Sequence, residues 1–132
     1  MRVWLDSWEW QCCGERFAVG SVVDWALTPI SAEATSFLAK PLGADVVDGI
    51  SHYEGHHPDE DEPARTLTRG RVESIKAVYW GLDRRPGEAP VYDPRPLSAV
   101  YESRDSADGS DPDEREGGLR FSGYIVELSP TP

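Results

Sequence analysis

Two cysteines and three histidines are the residues of this sequence that could bind a transition metal or attack a substrate. The cysteines are the adjacent pair Cys12 and Cys13, and the histidines are His52, His56 and His57. Proteins hold zinc with thiolate and imidazole groups, and four of them complete a tetrahedral shell. Adjacent side chains of an extended chain point in opposite directions, so one cysteine with two or three histidines is the easier set. The usual Cys-x2-Cys spacing is missing, and zinc is therefore an alternative prediction rather than the first one.

The same residues allow a thiol enzyme, with Cys12 or Cys13 as the nucleophile and His56 or His57 as the base. No local signature of a cysteine enzyme surrounds the pair, and nothing in the sequence marks an oxyanion hole. Cysteine is also among the residue types most often buried, so either thiol could simply fill the core. We therefore predict no catalytic residues and lean towards a non-enzymatic protein. The cofactor stays open, with zinc as the one that these residues allow.

Four tryptophans are the residues that we predict to form a surface for a ligand or a protein partner. They are Trp8, Trp10, Trp25 and Trp80. Aromatic side chains line many binding pockets, although they also fill the cores of small barrels. Trp8 and Trp10 are out of phase with the apolar residues of the first strand, so we expect them to be partly exposed. An exposed patch of this kind indicates a protein contact more than an enzyme site.

We expect β-strands to position most of these residues, because apolar and polar residues alternate along several segments of the chain. Residues 1–6 alternate in this way, and a turn at Cys12–Glu15 leads into a second strand. In that strand Val23, Trp25 and Leu27 share one face. The sequence of residues 17–23 is typical of the segment in which a loop leads into a strand in SH3-like small barrels.

Later segments continue the strand pattern. Residues 66–80 carry apolar side chains at both parities, so we expect a strand that is buried on both sides or bulged near Ser74. Residues 120–128 predict the last strand, and residues 45–53 predict a strand interrupted at Gly49. One short helix, Ala32–Ala39, is predicted after the capping residue Ser31.

These elements predict one mainly β domain over residues 1–132. The irregular strand spacing favours a small, partly open antiparallel β-barrel, SH3-like or OB-like, with one short α-helix.

The charge is acidic and unevenly distributed. The chain has 24 acidic and 13 basic residues, a formal net charge of -11. Two segments, at about 54–63 and 102–118, concentrate the acids, and we predict that both are mobile loops. The stretch 65–85 is basic, but the acidic loops would repel a phosphate backbone, so we do not expect nucleic-acid binding.

The N-terminus has no apolar run, and no segment approaches the ~20 apolar residues that cross a bilayer. We therefore expect no membrane association. Two cysteines without a secretory signal suggest reduced thiols and a cytoplasmic protein.

One motif carries a family resemblance. The string Trp10–Glu15 (WQCCGE), followed by Phe17 and Val19–Gly20, resembles a family of small uncharacterised actinobacterial proteins with a domain of unknown function. His56–His57 and Gly70–Val72 add to the likeness. The resemblance implies a bacterial cytosolic protein and supplies no activity, substrate or cofactor.

Taken together, the residues predict a non-enzymatic binding or protein-interaction module that forms a homodimer or binds a protein partner. The alternative is a zinc-binding protein using Cys12 or Cys13 with His52, His56 and His57. The second alternative is a small barrel associated with nucleic acid through the basic stretch.

Overall fold

The computed structural model describes residues 1–7, 10, 15–54, 66–82 and 93–131. Over these residues the chain is mainly β, which confirms the predicted class. The helices are α1 (Ala32–Leu42) and α2 (Ala44–Asp48). The strands are β1 (Arg2–Asp6), β2 (Phe17–Ala18), β3 (Val22–Pro29), β4 (His52–Glu54), β5 (Thr66–Gly81), β6 (Val100–Arg104), β7 (Ser106–Ala107), β8 (Glu114–Arg115) and β9 (Leu119–Pro130).

Seven strands form one mixed sheet in the order β6-β5-β3-β4-β1-β9-β8, and β2 pairs with β7 in a small second sheet. The pairings in the described part of the chain are antiparallel, as predicted, except that β1 and β4 run parallel. A parallel pair needs a long connection. Here the chain between β1 and β4 includes β3 and both helices.

Strand β5 rolls the sheet, because it pairs with β3 through its first part and with β9 through its second. Residues 66–71 of β5 pair with β3, and residues 70–81 of β5 pair with β9. The two pairings overlap at Gly70 and Arg71. The sheet is therefore rolled at β5, but it is not a closed barrel. A Cβ at Gly70 would lie 2.6 Å from the Leu128 side chain, so glycine allows the close approach where the strand is shared.

The sheet has a hydrophobic cluster on each face. The inner cluster fills the roll with residues such as Leu5, Leu27 and Tyr124. The outer cluster packs α1 and α2 against the other face, where Trp4 and Trp80 lie. Burial on both faces explains the apolar residues at both parities of β5.

Both expectations for β5 are confirmed. Ile75, Ala77 and Tyr79 enter the inner cluster, whereas Val78 and Trp80 enter the outer one. The register with β9 also shifts between Val72 and Ser74, which is the predicted bulge.

The predicted helix is confirmed and a second helix follows it. Ser31 caps α1, its Oγ accepting a hydrogen bond from the Ala34 backbone N–H at 3.1 Å. The strand prediction for residues 45–53 was wrong over its first half, because Gly43, with φ of 89°, ends α1 and α2 begins at once. Val47 on α2 is buried in the outer cluster, and such a short apolar run fits a helix as well as a strand.

The acidic segment 102–118 contains the end of β6 and the short strands β7 and β8. The first acidic segment lies almost wholly outside the described residues. The mobility of the two segments and the single-domain organisation stay predictions. None of the helices in the described residues has the length and apolarity required to cross a membrane.

Candidate functional site

Most of the predicted metal ligands lie outside the described residues, namely Cys12, Cys13, His56 and His57. His52 is described: it lies on β4, and its Nδ1 is 2.8 Å from the Ser51 hydroxyl. Within the described part of the chain, no group of three or more His, Cys, Asp or Glu side chains could hold a metal. The zinc site therefore stays a prediction.

The predicted tryptophan surface divides between the two faces of the sheet. Trp10 and Trp25 are partly buried against the inner cluster, and Trp80 lies in the outer one. Trp10 contacts the Tyr124 ring edge-on with a centroid distance of 5.6 Å, and Trp25 contacts Phe17 edge-on at 5.0 Å. Trp8 lies outside the described residues. The structure thus places Trp80 apart from Trp10 and Trp25.

Trp80 lines a groove of about 460 Å³ at the end of the sheet where β1 and β5 finish and β9 begins. We call this cavity the aromatic groove. It is lined by Asp6, Ser7, Phe37, Trp80, Leu82, Pro94, Asp113, Arg120, Phe121 and Ser122.

The aromatic wall of the groove is built by α1 and β5 together. The buried stripe of α1 holds Leu38 and Leu42 against the sheet, which leaves the neighbouring Phe37 at the rim with 49% of its surface exposed. The Phe37 ring meets Trp80 edge-on, with centroids 6.2 Å apart. Trp80 is itself stacked on Trp4, with centroids 5.8 Å apart and planes at 12°. A rigid, buried indole therefore supports an exposed phenyl ring.

The polar residues that line the groove lie at the ends of strands and in turns. Asp6 and Ser7 lie at the end of β1, and Asp113 precedes β8. The Asp113 carbonyl accepts a hydrogen bond of 2.9 Å from the Phe121 backbone N–H, which fixes this turn against β9. The lining includes two carboxylates, those of Asp6 and Asp113, and one guanidinium, that of Arg120, which pairs with Glu114 at 3.6 Å.

A second polar cluster lies on the inner face, where Glu102 and Arg104 of β6 lie opposite Ala77 and Ile75 of β5. We call it the inner polar network: Glu102, Arg104, Asp111, Arg115 and Tyr124. The Tyr124 hydroxyl donates to Asp111 Oδ2 at 2.5 Å, and Arg104 Nε donates to Asp111 Oδ1 at 2.6 Å. Arg104 also donates to Glu102 at 2.6 Å, and Arg115 pairs with the same carboxylate. The acids and arginines neutralise one another, and the Asp111 side chain is only 5% exposed.

This network is suited to holding the fold rather than to catalysis. Burial and the Asp111 carboxylate raise the pKa of Tyr124, so its hydroxyl stays protonated and cannot act as a base or nucleophile at neutral pH. Hydrogen bonds to Asp111 raise the pKa of Arg104, which keeps its positive charge. Tyr124 and Arg104 therefore each keep their proton at neutral pH.

The basic stretch is described only at Arg69, Arg71 and Lys76. Arg69 and Arg71 lie on the part of β5 that pairs with β3, with exposed side chains, and Lys76 follows beyond the bulge. Arg65, Arg84 and Arg85 lie outside the described residues, so nucleic-acid binding through this stretch stays untested.

Sequence reasoning missed Phe37 and Asp111. Phe37 lies inside the predicted helix, next to the apolar face that packs on the sheet. An aromatic residue at the edge of that face was the signal that could have identified it. Asp111 falls in the acidic segment 102–118, which the sequence predicts to be a mobile loop. Its partners Arg104 and Tyr124 become its neighbours only through the fold.

A family model for DUF6578, a family of unknown function, matches residues 1–130. Comparison with curated proteins and with solved structures gave no match. The match agrees with the predicted resemblance in its coarser form, a family of unknown function. The actinobacterial origin and the WQCCGE motif as its signature stay predictions.

Proposed function

Since this chain belongs to a family of unknown function, we propose its role from its own geometry: a non-enzymatic protein-interaction module. In this proposal the aromatic groove binds a segment of a partner protein that combines an apolar anchor with basic side chains.

One observation carries the proposal, namely the half-exposed Phe37 ring on a buried Trp80 at the rim of the groove. Burying an aromatic side chain that is left exposed contributes roughly 1.5–3 kcal/mol. Rigid aromatic residues beside a cavity are the usual anchors of protein interfaces. The wall of the groove is fixed by the Trp4–Trp80 stack, so binding requires little ordering of the protein.

The charge of the chain favours a basic partner. The formal net charge is -11, and two aspartates and one arginine line the groove. A strongly acidic protein attracts basic partners over several ångströms and repels acidic ones, which raises the association rate of the former. A second copy of this chain is equally acidic, so the predicted homodimer is less favoured at this groove than a basic partner.

Selection from a random peptide-display library, with the full-length protein as bait, tests the proposal. We expect enriched peptides to combine one aromatic or aliphatic anchor with at least one Arg or Lys. Synthetic versions of these peptides should bind roughly 10-fold more weakly to Phe37→Ala, because the truncation removes about 1.4 kcal/mol or more of contact.

The matched control is Leu67→Ala, which truncates an exposed apolar residue, 73% accessible, outside the groove. It should leave the affinity unchanged. If the library yields no convergent peptide, or if both variants bind the selected peptides as the wild type does, the groove is not the binding site.

A further inference from the structure

A second cavity lies on the helix-covered face, away from the aromatic groove. Its volume is about 390 Å³, within the size range of small-molecule sites, roughly 300–1,000 Å³. It is lined by Arg2, Val46, Ser74, Lys76, Tyr101, Ile125 and Glu127. None of these residues lines the aromatic groove.

Sheet register brings the polar lining residues together. Ser74 and Lys76 are two residues apart on β5, so their side chains leave the same face. Lys76 lies opposite Ser103, and Val78 lies opposite Tyr101, which makes Lys76 and Tyr101 diagonal neighbours on adjacent strands. Diagonal neighbours are about 7 Å apart, within reach of two long side chains.

The charges of the cavity leave one cation in excess. Arg2 Nε is 2.5 Å from Glu127 Oε1, so these two charges neutralise each other. Lys76 has no ion-pair partner within 4.0 Å among the residues that the structure describes. The site is therefore positive in a chain whose net charge is -11.

Two hydroxyl groups beside Lys76 are also available as donors. Among the described residues, neither Ser74 Oγ nor the Tyr101 hydroxyl has a hydrogen-bond partner. Partial burial raises the pKa of Tyr101, so its hydroxyl keeps its proton at neutral pH. Ile125, which is buried, and Val46 on α2 add an apolar floor.

We propose that this cavity binds a small organic anion, with the anionic group on Lys76, Ser74 and Tyr101 and an apolar body against Ile125 and Val46. Carboxylates and phosphate monoesters share the required chemistry, since both accept charge-assisted hydrogen bonds from ammonium and hydroxyl groups. This site is separate from the proposed protein-binding groove and does not depend on it.

The test is a titration of the ¹⁵N-labelled full-length protein, followed by NMR, with benzoate, phenyl phosphate and the neutral analogue benzyl alcohol. We expect saturable shifts at residues 74–76, 101 and 125 for the two anions. Benzyl alcohol should bind at least roughly 10-fold more weakly, the effect of one lost charge-assisted contact. Tighter binding of phenyl phosphate would assign a phosphate monoester, and equal or tighter binding of benzoate would assign a carboxylate.

Lys76→Met keeps the aliphatic stem and removes the charge, so it should weaken both anions by roughly 10-fold. Arg69→Met removes an exposed cation from the same strand outside the cavity, and it should change the affinities less than about twofold. Unsaturable shifts, equal affinity for benzyl alcohol, or equal losses in the two variants would overturn the proposal.

Discussion

The hydrogen bond between Tyr124 and Asp111 is the contact on which the inner polar network depends. Tyr124 is fully buried, and its hydroxyl meets a carboxylate that also receives Arg104. A hydrogen bond to a charged group contributes about 1.5–3 kcal/mol, more than a neutral one. Removing the hydroxyl leaves one lone pair of a nearly buried carboxylate without a donor, which adds to the loss.

We therefore expect Tyr124→Phe to lower the free energy of unfolding by about 1.5–3 kcal/mol at pH 7. Urea unfolding monitored by tryptophan fluorescence measures this change. The control is Tyr101→Phe, whose hydroxyl has no partner among the described residues and whose loss should stay within about 0.5 kcal/mol. Equal losses in the two variants would show that the Asp111 contact contributes nothing.

The same contact predicts a pH dependence. The pKa of Tyr124 is raised in the folded protein, whereas in the unfolded chain it returns to about 10. Above pH 10 the unfolded state loses the proton and the folded state keeps it, so stability falls as pH rises. The fall from this one group approaches about 1.4 kcal/mol per pH unit. Tyr124→Phe should show a shallower decline between pH 9.5 and 11, and an unchanged slope would contradict the assignment.

Individual residues of the candidate sites were the least predictable feature. The four tryptophans were predicted from residue type and, for Trp8 and Trp10, from their phase relative to the first strand. Among those that the structure describes, Trp80 lines the aromatic groove, whereas Trp10 and Trp25 do not. Phe37 was missed because its role depends on which face of α1 meets the sheet. Asp111 was missed because its partners are 7 and 13 residues away and meet it only through the β6–β9 arrangement.

At the scale of elements, the close approach of β1 to β9 requires a glycine at position 123. Gly123 lies opposite Asp6 of β1 and Val78 of β5, in the centre of the sheet. A Cβ there would lie 2.4 Å from the Leu5 carbonyl oxygen and 2.6 Å from the Trp4 ring. Neither the backbone nor the stacked indole can move away easily, since Trp4 also supports Trp80.

Gly123→Ala should therefore destabilise the protein by about 3 kcal/mol through overpacking. The control is Gly118→Ala, where a Cβ would meet nothing within 4 Å and only the φ of 72° is unfavourable, at about 1 kcal/mol. Thermal and urea unfolding of both variants compare the two costs. A loss at Gly123 no larger than that at Gly118 would mean that β1 and β9 adjust to the methyl group.

Element types followed well from periodicity wherever a segment was long. The predicted strands at 66–80 and 120–128 correspond to β5 and β9, and Ser31 marked the start of α1. The short run at 45–53 did not distinguish strand from helix, because Val46 and Val47 suit both and tertiary packing decided. No local sequence pattern predicts the parallel pairing of β1 with β4, since the whole fold determines which strands pair.

At the scale of the whole molecule, the dominant property is repulsion between acidic groups. The net charge of -11 acts on a chain of 132 residues, and self-repulsion disfavours the compact state. Ion pairs act in the opposite direction, but exposed ones such as Arg2–Glu127 and Lys40–Asp93 contribute only about 0–1 kcal/mol each. The pairs of Asp111 are shielded from solvent ions by burial, so salt weakens them little.

Salt should therefore stabilise this protein at pH 7. Raising NaCl from about 0.01 M to about 0.5 M shortens the screening length from roughly 30 Å to below 5 Å, which removes most of the repulsion. We expect the thermal midpoint to rise by about 3 °C or more, a change of roughly 1 kcal/mol for a domain of this size. At pH 5, close to the sequence pI of about 4.6, the net charge is small and the rise should largely disappear. A midpoint that falls with salt at pH 7 would show that exposed ion pairs outweigh the repulsion, and it would remove the electrostatic argument for a basic partner.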